Sequence, residues 1–533
     1  MAAEEENASE VGIRILKRGG NAVDAAVAMA FALAVTWPEA GNLGGGGFWI
    51  SRDSGGKILV IDFREIAPRD ARPDLYVRPG PDGKIPSSTA GPVCSGVPGS
   101  ISGLALAHRR GGRLPWRELV EPALQLARDG FAVTENVARS IAAHRNDLAA
   151  DPETAAIFLP GGASPAPGSL FRQPALARTL EAIRDRGADG FYRGRVAREI
   201  EAGQKRAGGL IDRGDLARYQ VRIRRPIRFR FGNAEIATTP SPSSGAALAE
   251  LALVAAEVGL ERLRPRDAAS MHWTAEIEKR VYQDRTRWLG DPAWRGVRER
   301  DMLNREHARR LAASIDPARA TPSAALSEGK KEHPSTTHFS VADASGAVVA
   351  VTTTLNDSFG NKRVAAGLGF LWNNEMDDFA TKPGQPNLYG LVEGAVNSVA
   401  AGKRMLSSMC PTIAVVPGRG VLAWGTPGGS TILTTNFQIL LGLVLRGQPL
   451  EEAVAAARFH QQNFPDAVEV ERDAFDPASL AALEAMGHAV KTSARDPVPG
   501  RIGRVHAVAV EPGGRTSAVA DPRRHGAALV VGP

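Results

Sequence analysis

Only two cysteines, Cys94 and Cys410, occur in 533 residues. They provide no disulfide framework and no metal-ligand spacing, so each reads as a buried structural thiol and no metal site is expected. Long apolar runs are missing too. The longest, Ala25 to Val35, is too short and too rich in alanine to span a bilayer. The opening Met1-Ala-Ala-Glu-Glu-Glu-Asn7 is acidic and lacks the basic and apolar regions of a secretion signal, so the sequence as written is expected to stay in the cytoplasm. No fixed-period repeat is present. Charge of one sign is barely in excess: 65 Lys and Arg face 58 Asp and Glu, a formal +7. The densest basic stretch, Val221 to Phe231, alternates like a strand with one solvated Arg face. It carries no aromatic-basic reading motif, so nucleic acid is not an expected partner.

What is present suits a soluble protein with a sizeable core: 43% hydrophobic and 23% charged residues. The length permits two or three domains, or one large α/β domain with insertions. The first 50 residues read as helix, turn, helix and a glycine loop. Asn21 is a good N-cap, with Asp24 near the positive end of the helix dipole, and Ala22 to Val35 reads as a helix buried on most faces. Gly44 to Gly47 lacks the Lys-Ser/Thr of a phosphate loop and signals close backbone approach instead. Lys57 to Phe63 reads as a strand ending in Arg64-Glu65. Helical patterns such as Gly245–Gly259 and Ala268–Trp288 dominate from about residue 100 to 320. Ala320 to Ser335 reads as an exposed polar loop, and from Thr336 the texture turns to β-rich alternation. That shift divides the chain into residues 1–335 and 336–533.

Thr336 to Asp343 and Ala347 to Leu355 form two strand-like runs around Ala344-Ser345-Gly346, a three-residue hairpin loop with glycine at its left-handed position. Pairing Asp343 with Ala347 places Thr336 opposite Thr354, about 5 Å apart across the ladder, and turns Thr337 to the other face. A threonine hydroxyl becomes a nucleophile when a base takes its proton, and a free N-terminal amine can be that base. An internal threonine gains such an amine only if the chain is cut just before it. By itself, the pair also fits two β-branched residues in an ordinary hairpin.

The residues around this hairpin carry a resemblance. Gly19-Gly-Asn-Ala-Val-Asp-Ala-Ala-Val27, Gly44–Gly47, Thr336-Thr-His-Phe-Ser-Val341, Leu371-Trp-Asn-Asn-Glu-Met-Asp-Asp-Phe379, Lys403 to Thr412 and Gly425-Thr-Pro-Gly-Gly-Ser430 run in the order of the γ-glutamyltranspeptidase family. Ser243-Ser-Gly245, Leu289-Gly-Asp-Pro292, Arg458-Phe-His460 and Asp521 to Gly526 extend the match to nearly the whole chain. The resemblance implies an α+β fold, the αββα four-layer sandwich of N-terminal-nucleophile hydrolases, as one intertwined domain. It implies a precursor that cuts itself between Ser335 and Thr336 into a large and a small fragment, which stay together as a heterodimer. Thr336 looks like the nucleophile, Thr354 its hydroxyl partner, and Gly428 and Gly429 the oxyanion-hole amides. Arg64, Ser407 and Ser408 look like a site for the α-carboxylate of a γ-glutamyl group, and Asn356, Glu375 and Asp378 like a site for its α-ammonium. Tyr389 looks like the aromatic cover of a lid loop. His338 reads as a strand histidine rather than a base.

The resemblance therefore implies a γ-glutamyl amidase or transferase acting on glutathione-like donors and on amino-acid or peptide acceptors, with no cofactor, metal or membrane span. Two rivals are a related amidase, of the oxamate- or cephalosporin-acylase type, and a non-processing homologue used for binding. The acylases need no α-amino-acid clamp, so Arg64, Ser407, Ser408 and Asp378 argue against them. Two departures from the family stand out. The sequence opens abruptly where members have a short strand, and Asn361-Lys-Arg363 replaces small residues near the matched pocket.

Overall fold

The computed structural model describes all residues except 81, 324–335, 383, 384, 386, 389, 493–501, 525, 532 and 533. Two antiparallel sheets stack face to face. The first has seven strands in the spatial order Ala527–Ala528, Ala2–Ala3, Thr337–Ala342, Val348–Thr354, Gly46–Arg52, Ile58–Asp62 and Arg222–Arg224. The second has six, in the order Thr516–Ala520, His506–Val510, Gly420–Gly425, Thr412–Val416, Ala234–Thr238 and Ile227–Phe231. Both sheets draw strands from before and after position 336.

Period-two alternation decides which side chains fill which layer. Val348 and Ala350 point between the sheets, where they meet Ile413, Ala423 and Val508 of the second sheet. Phe339, Val341, Val349 and Val351 point the other way, into a core shared with the Ala22–Thr36 helix and its neighbours. Outside the second sheet, Leu422, Trp424 and Ala507 pack on the Gly245–Val258 and Thr431–Leu440 helices. The result is the expected αββα sandwich.

The Ala22–Thr36 helix starts as its sequence demands. Asn21 and Asp24 form a reciprocal capping box, and the Ala22 amide donates to Asp343 Oδ2 at 2.8 Å. The hairpin's turn residue therefore also fixes the start of this buried helix. Asp343 Oδ1 accepts from Ser345 N at 2.9 Å, and Gly346 takes φ of +84° at the predicted left-handed position. The Gly44–Gly47 loop lies where no side chain would fit: a Cβ on Gly45 would come 2.0 Å from the Thr354 carbonyl oxygen, and one on Gly47 2.3 Å from that of Thr352.

Three expectations need correcting. Val221 to Phe231 is not one strand. Pro226 lacks the amide a continuing ladder needs, so Arg222–Arg224 edges the first sheet and Ile227–Phe231 the second. The short opening strand is present, because Ala2–Ala3 pairs with Phe339–Ser340 on one side and Ala527–Ala528 on the other. Ala320 to Ser335 is not simply an exposed loop. Its part beyond Ser323 lies outside the described residues, but Ser323 is buried, its amide 2.7 Å from Asp466 Oδ2, and Lys279 Nζ donates to the Thr321 carbonyl at 2.8 Å. Among the described residues no helix is long and apolar enough to cross a membrane. Cys94 and Cys410 are buried, and burial pushes both thiols up to about 12.

Candidate active site

The hairpin register runs from Val348 opposite Ala342 to Thr353 opposite Thr337. One step further, Thr336 meets Thr354, with their hydroxyl oxygens 3.3 Å apart. Thr337 faces the helical layer, so the alternation that selects Thr336 is seen directly. Thr354 Oγ1 also accepts the Asn356 amide at 2.8 Å. Asn42, from the loop before the glycines, donates to the Thr354 carbonyl at 2.9 Å and to Thr353 Oγ1 at 3.0 Å, which holds the strand end in place. His338 lies between the sheets, its ring nitrogens 2.8 Å from Thr352 Oγ1 and 2.9 Å from Ser340 Oγ. Burial holds it well below the usual histidine range, so it stays neutral.

Gly428 and Gly429 turn the chain into the Thr431–Leu440 helix with φ of +138° and +57°. A Cβ on Gly428 would sit 2.3 Å from Thr431 Oγ1. Their carbonyls accept from Thr431 N at 3.0 Å and Ile432 N at 3.2 Å. The two glycines lie just before the positive end of this helix, so the turn suits an oxyanion. Gly428 packs on Gly503, and the adjacent Arg504 reaches the Thr336 carbonyl at 3.5 Å.

Arg64 follows the Ile58–Asp62 strand and is fully buried. It forms close ion pairs with Glu375 and Asp378, and Glu65 Oε2 lies 3.8 Å from Nη1. It also donates to the carbonyls of Met405 at 3.3 Å and Leu406 at 3.2 Å. One guanidinium thus faces three buried carboxylates. Burial raises all three; Glu65 goes to about 7, Glu375 well above its ordinary value and Asp378 in the same direction, despite the pull of Arg64. Arg64 is itself raised, because Glu375 and Asp378 outweigh its burial. The cluster therefore keeps surplus negative charge or holds a proton.

Asn356 joins this cluster to the hairpin, donating from Nδ2 to the Asn374 carbonyl at 3.0 Å, next to Glu375. Asp378 is held by Asn397 Nδ2 on its carbonyl at 2.6 Å. Ser407 Oγ accepts from Met409 N at 3.2 Å. Ser408 Oγ lies 3.5 Å from Nη2 of Arg285, a buried residue whose Nη1 pairs with Glu393 at 2.8 Å. Of the sequence-matched residues, Arg64, Glu375 and Asp378 thus form one cluster, with Arg64 bound to the acids rather than presenting an open fork, while the Ser407 and Ser408 hydroxyls bond elsewhere. Asn361 is buried, its amide nitrogen 3.3 Å from the Gly91 carbonyl. Ser335 and Tyr389 lie outside the described residues.

Sequence reasoning missed three groups. Arg285 sits in a helix with no distinguishing motif. Glu65 reads as the tail of a strand. Glu4 reads as part of an acidic terminus, yet it is buried with Arg504 at 3.0 Å and His506 at 3.0 Å. Burial raises it, but Arg504 and His506 outweigh that and hold it near 2.

A sequence profile described as Gamma-glutamyltranspeptidase matches residues 8–531. The chain is 40% identical over 530 residues to the glutathione hydrolase proenzyme of Escherichia coli (strain K12), covering 98% of this chain and 90% of that one. It is 34% identical over 532 residues to the acylase ACY 1 proenzyme of Pseudomonas sp. (strain SE83), covering 98% and 92% respectively. A solved cephalosporin acylase from Bacillus halodurans superposes with a TM-score of 0.86 over 100% of this chain and 95% of that one, at 23% identity, a likeness of fold. Matched along nearly its whole length, the chain is an enzyme of the γ-glutamyltranspeptidase family on the N-terminal-nucleophile hydrolase fold.

Proposed function

We propose that this enzyme cleaves γ-glutamyl amides, glutathione among them, and passes the glutamyl group to water or to the amine of an amino acid or peptide. The observation that carries this reading is the buried cluster of Arg64 with Glu65, Glu375 and Asp378, tied through Asn356 to the Thr336–Thr354 pair. A zwitterionic α-amino acid supplies the charges this cluster lacks. Its ammonium meets the surplus carboxylates, and its carboxylate displaces acids from Arg64 and takes the hydroxyls of Ser407 and Ser408.

The reaction begins with a cut between Ser335 and Thr336: the Thr336 hydroxyl attacks the Ser335 carbonyl carbon, the peptide C–N bond breaks as the amine takes the hydroxyl proton, and water hydrolyses the resulting ester to a Ser335 carboxylate and a free Thr336 hydroxyl. The new α-amine of Thr336 then takes the proton from Oγ1 as that oxygen attacks the γ-amide carbon. Negative charge developing on the carbonyl oxygen is met by the amides of Gly428 and Gly429, donors of a kind worth about 3–4 kcal/mol each in amide cleavage. The amide nitrogen leaves with the proton, and an ester to Thr336 remains. Water or an acceptor amine attacks that ester, giving up a proton to the α-amine, and Thr336 is restored. The two fragments remain one body because both sheets are built from strands of each.

The acylase relative supports a second reading, a simple acyl amidase, and the same cluster opposes it: a neutral acyl chain would leave a guanidinium and its carboxyl partners buried to no purpose. Turnover of a γ-glutamyl anilide against the matched simple acyl anilide, with and without a dipeptide acceptor, separates the two. Preference for the acyl substrate would sink the γ-glutamyl assignment.

A further inference from the structure

Away from the candidate active site, three helices bring ligand-type side chains together. Glu250 on the Gly245–Val258 helix, Asp284 on the Ala268–Trp288 helix and His307 on the Arg305–Ala313 helix place one atom each within 4.8 Å of one another. Glu250 stands in a helix otherwise made almost wholly of Ala, Leu and Val, and it is 0% exposed. Neither of its oxygens has a hydrogen-bond partner. Its ionisable neighbour is His307, with Nε2 at 3.3 Å, and that nitrogen already bonds Asp284 Oδ2 at 2.6 Å. One N–H cannot satisfy two buried carboxylates.

We propose that Glu250, Asp284 and His307 bind a single divalent cation of the zinc type, which staples the three helices together. One imidazole and two carboxylates are donors that zinc accepts. Ligand atoms about 2.0–2.2 Å from a tetrahedral zinc lie about 3.3 Å apart, which is the His307–Glu250 spacing. The shorter His307–Asp284 contact opens when the shared proton gives way to the metal. His307 is the most exposed of the three, its side chain 15% accessible, which provides an entry route and room for a water as fourth ligand. Its Nδ1 lies 3.5 Å from Arg310 Nη2, a contact at the limit of hydrogen bonding. With the metal on Nε2 the proton moves to Nδ1, and that contact is released. None of the three residues belongs to the nucleophile, the glycine turn or the Arg64 cluster. The sequence hides the group because its members lie far apart along the chain and meet only when the helices pack.

The purified protein, stripped with a chelator and desalted, is dialysed against zinc chloride; bound metal and melting temperature are then measured. The wild type should take up a single zinc per chain and melt higher for it. In His307→Gln and Glu250→Gln, which each remove a ligand, the dissociation constant should rise by more than the roughly 10–100-fold expected for an outer-shell change, with the melting gain lost and γ-glutamyl turnover unchanged. Burial pushes the Glu250 carboxyl up to about 8, so the competing account is that it simply holds a proton. Folded wild-type protein that takes up no zinc would establish that account and overturn the proposal. Uptake that persists in His307→Gln would also overturn it, placing the metal elsewhere, for instance at His272 and His488, whose ring nitrogens are 2.8 Å apart. Should Glu250→Gln fail to fold, the partly exposed His307→Gln carries the test alone.

Discussion

Thr336 and Thr354 meet as two neutral hydroxyls on adjacent strands of one hairpin, whereas Arg64, Glu65, Glu375 and Asp378 meet as four ionisable groups from two distant segments. The first contact costs little to bury and is held by backbone register. The second is costly to bury and is held by mutual charge, with carboxylates in excess. In the proposed mechanism Thr336 takes its base from its own new amine, so local structure and one cut suffice for it. The receptor for a zwitterion that we propose needs unbalanced charge in a dry site, which only a large fold can enclose.

The contrast breaks hardest at Thr336. Thr336→Ala should abolish both chain cleavage and turnover, because no other hydroxyl acquires a free amine beside it. Mass spectrometry should find a fragment beginning Thr336-Thr-His-Phe in the wild type and only intact chain in the variant. A cleaved variant would move the nucleophile elsewhere.

Asp378→Ala tests the charged half. An unpaired buried ammonium costs roughly 3–5 kcal/mol, so kcat/KM on a γ-glutamyl anilide should fall by a hundredfold or more while a simple acyl anilide is little affected. Equal losses on both substrates would make Asp378 a structural partner of Arg64 only.

Thr354→Ala should be milder, slowing processing and turnover by about tenfold, as expected for one lost hydroxyl contact plus the Asn356 amide left without its acceptor. Thr354→Ser should recover most of the loss at an unchanged melting temperature. Wild-type processing in Thr354→Ala would show that the 3.3 Å contact plays no part in cleavage.

The smallest effect concerns pH. Burial lifts Glu65 to about 7 from an ordinary 4.5, so the folded protein holds this proton more tightly than the unfolded chain. Its contribution to stability is full below about pH 4.5 and is lost as pH rises through about 7. Glu65→Gln, which stays neutral, should flatten the fall in melting temperature across that window. Parallel pH curves for variant and wild type would mean that Glu65 is ionised throughout.

Much of this protein was written in local sequence. The Asn21–Asp24 cap, the left-handed Gly346 that closes the hairpin turn after Ser345, and the alternation from Thr336 to Thr354 depend on neighbours a few residues apart, so they survive without knowledge of the fold. Matched motifs carried the same reading to Arg64, Glu375, Asp378 and Gly428-Gly429, though not to how they engage one another. That Arg64 is held by the acids, that Arg285 stands beside Ser408, that Glu4 is paired with Arg504, and that Pro226 sends two arginine-rich strands to different sheets were decided only by the tertiary structure. At Pro226 the missing amide breaks the ladder and packing decides which sheet each half joins; the other three share one physical reason. Side-chain charge acts through space at a few ångströms, and the partners lie far apart along the chain or on separate layers, so their pairing exists only once the sheets have stacked.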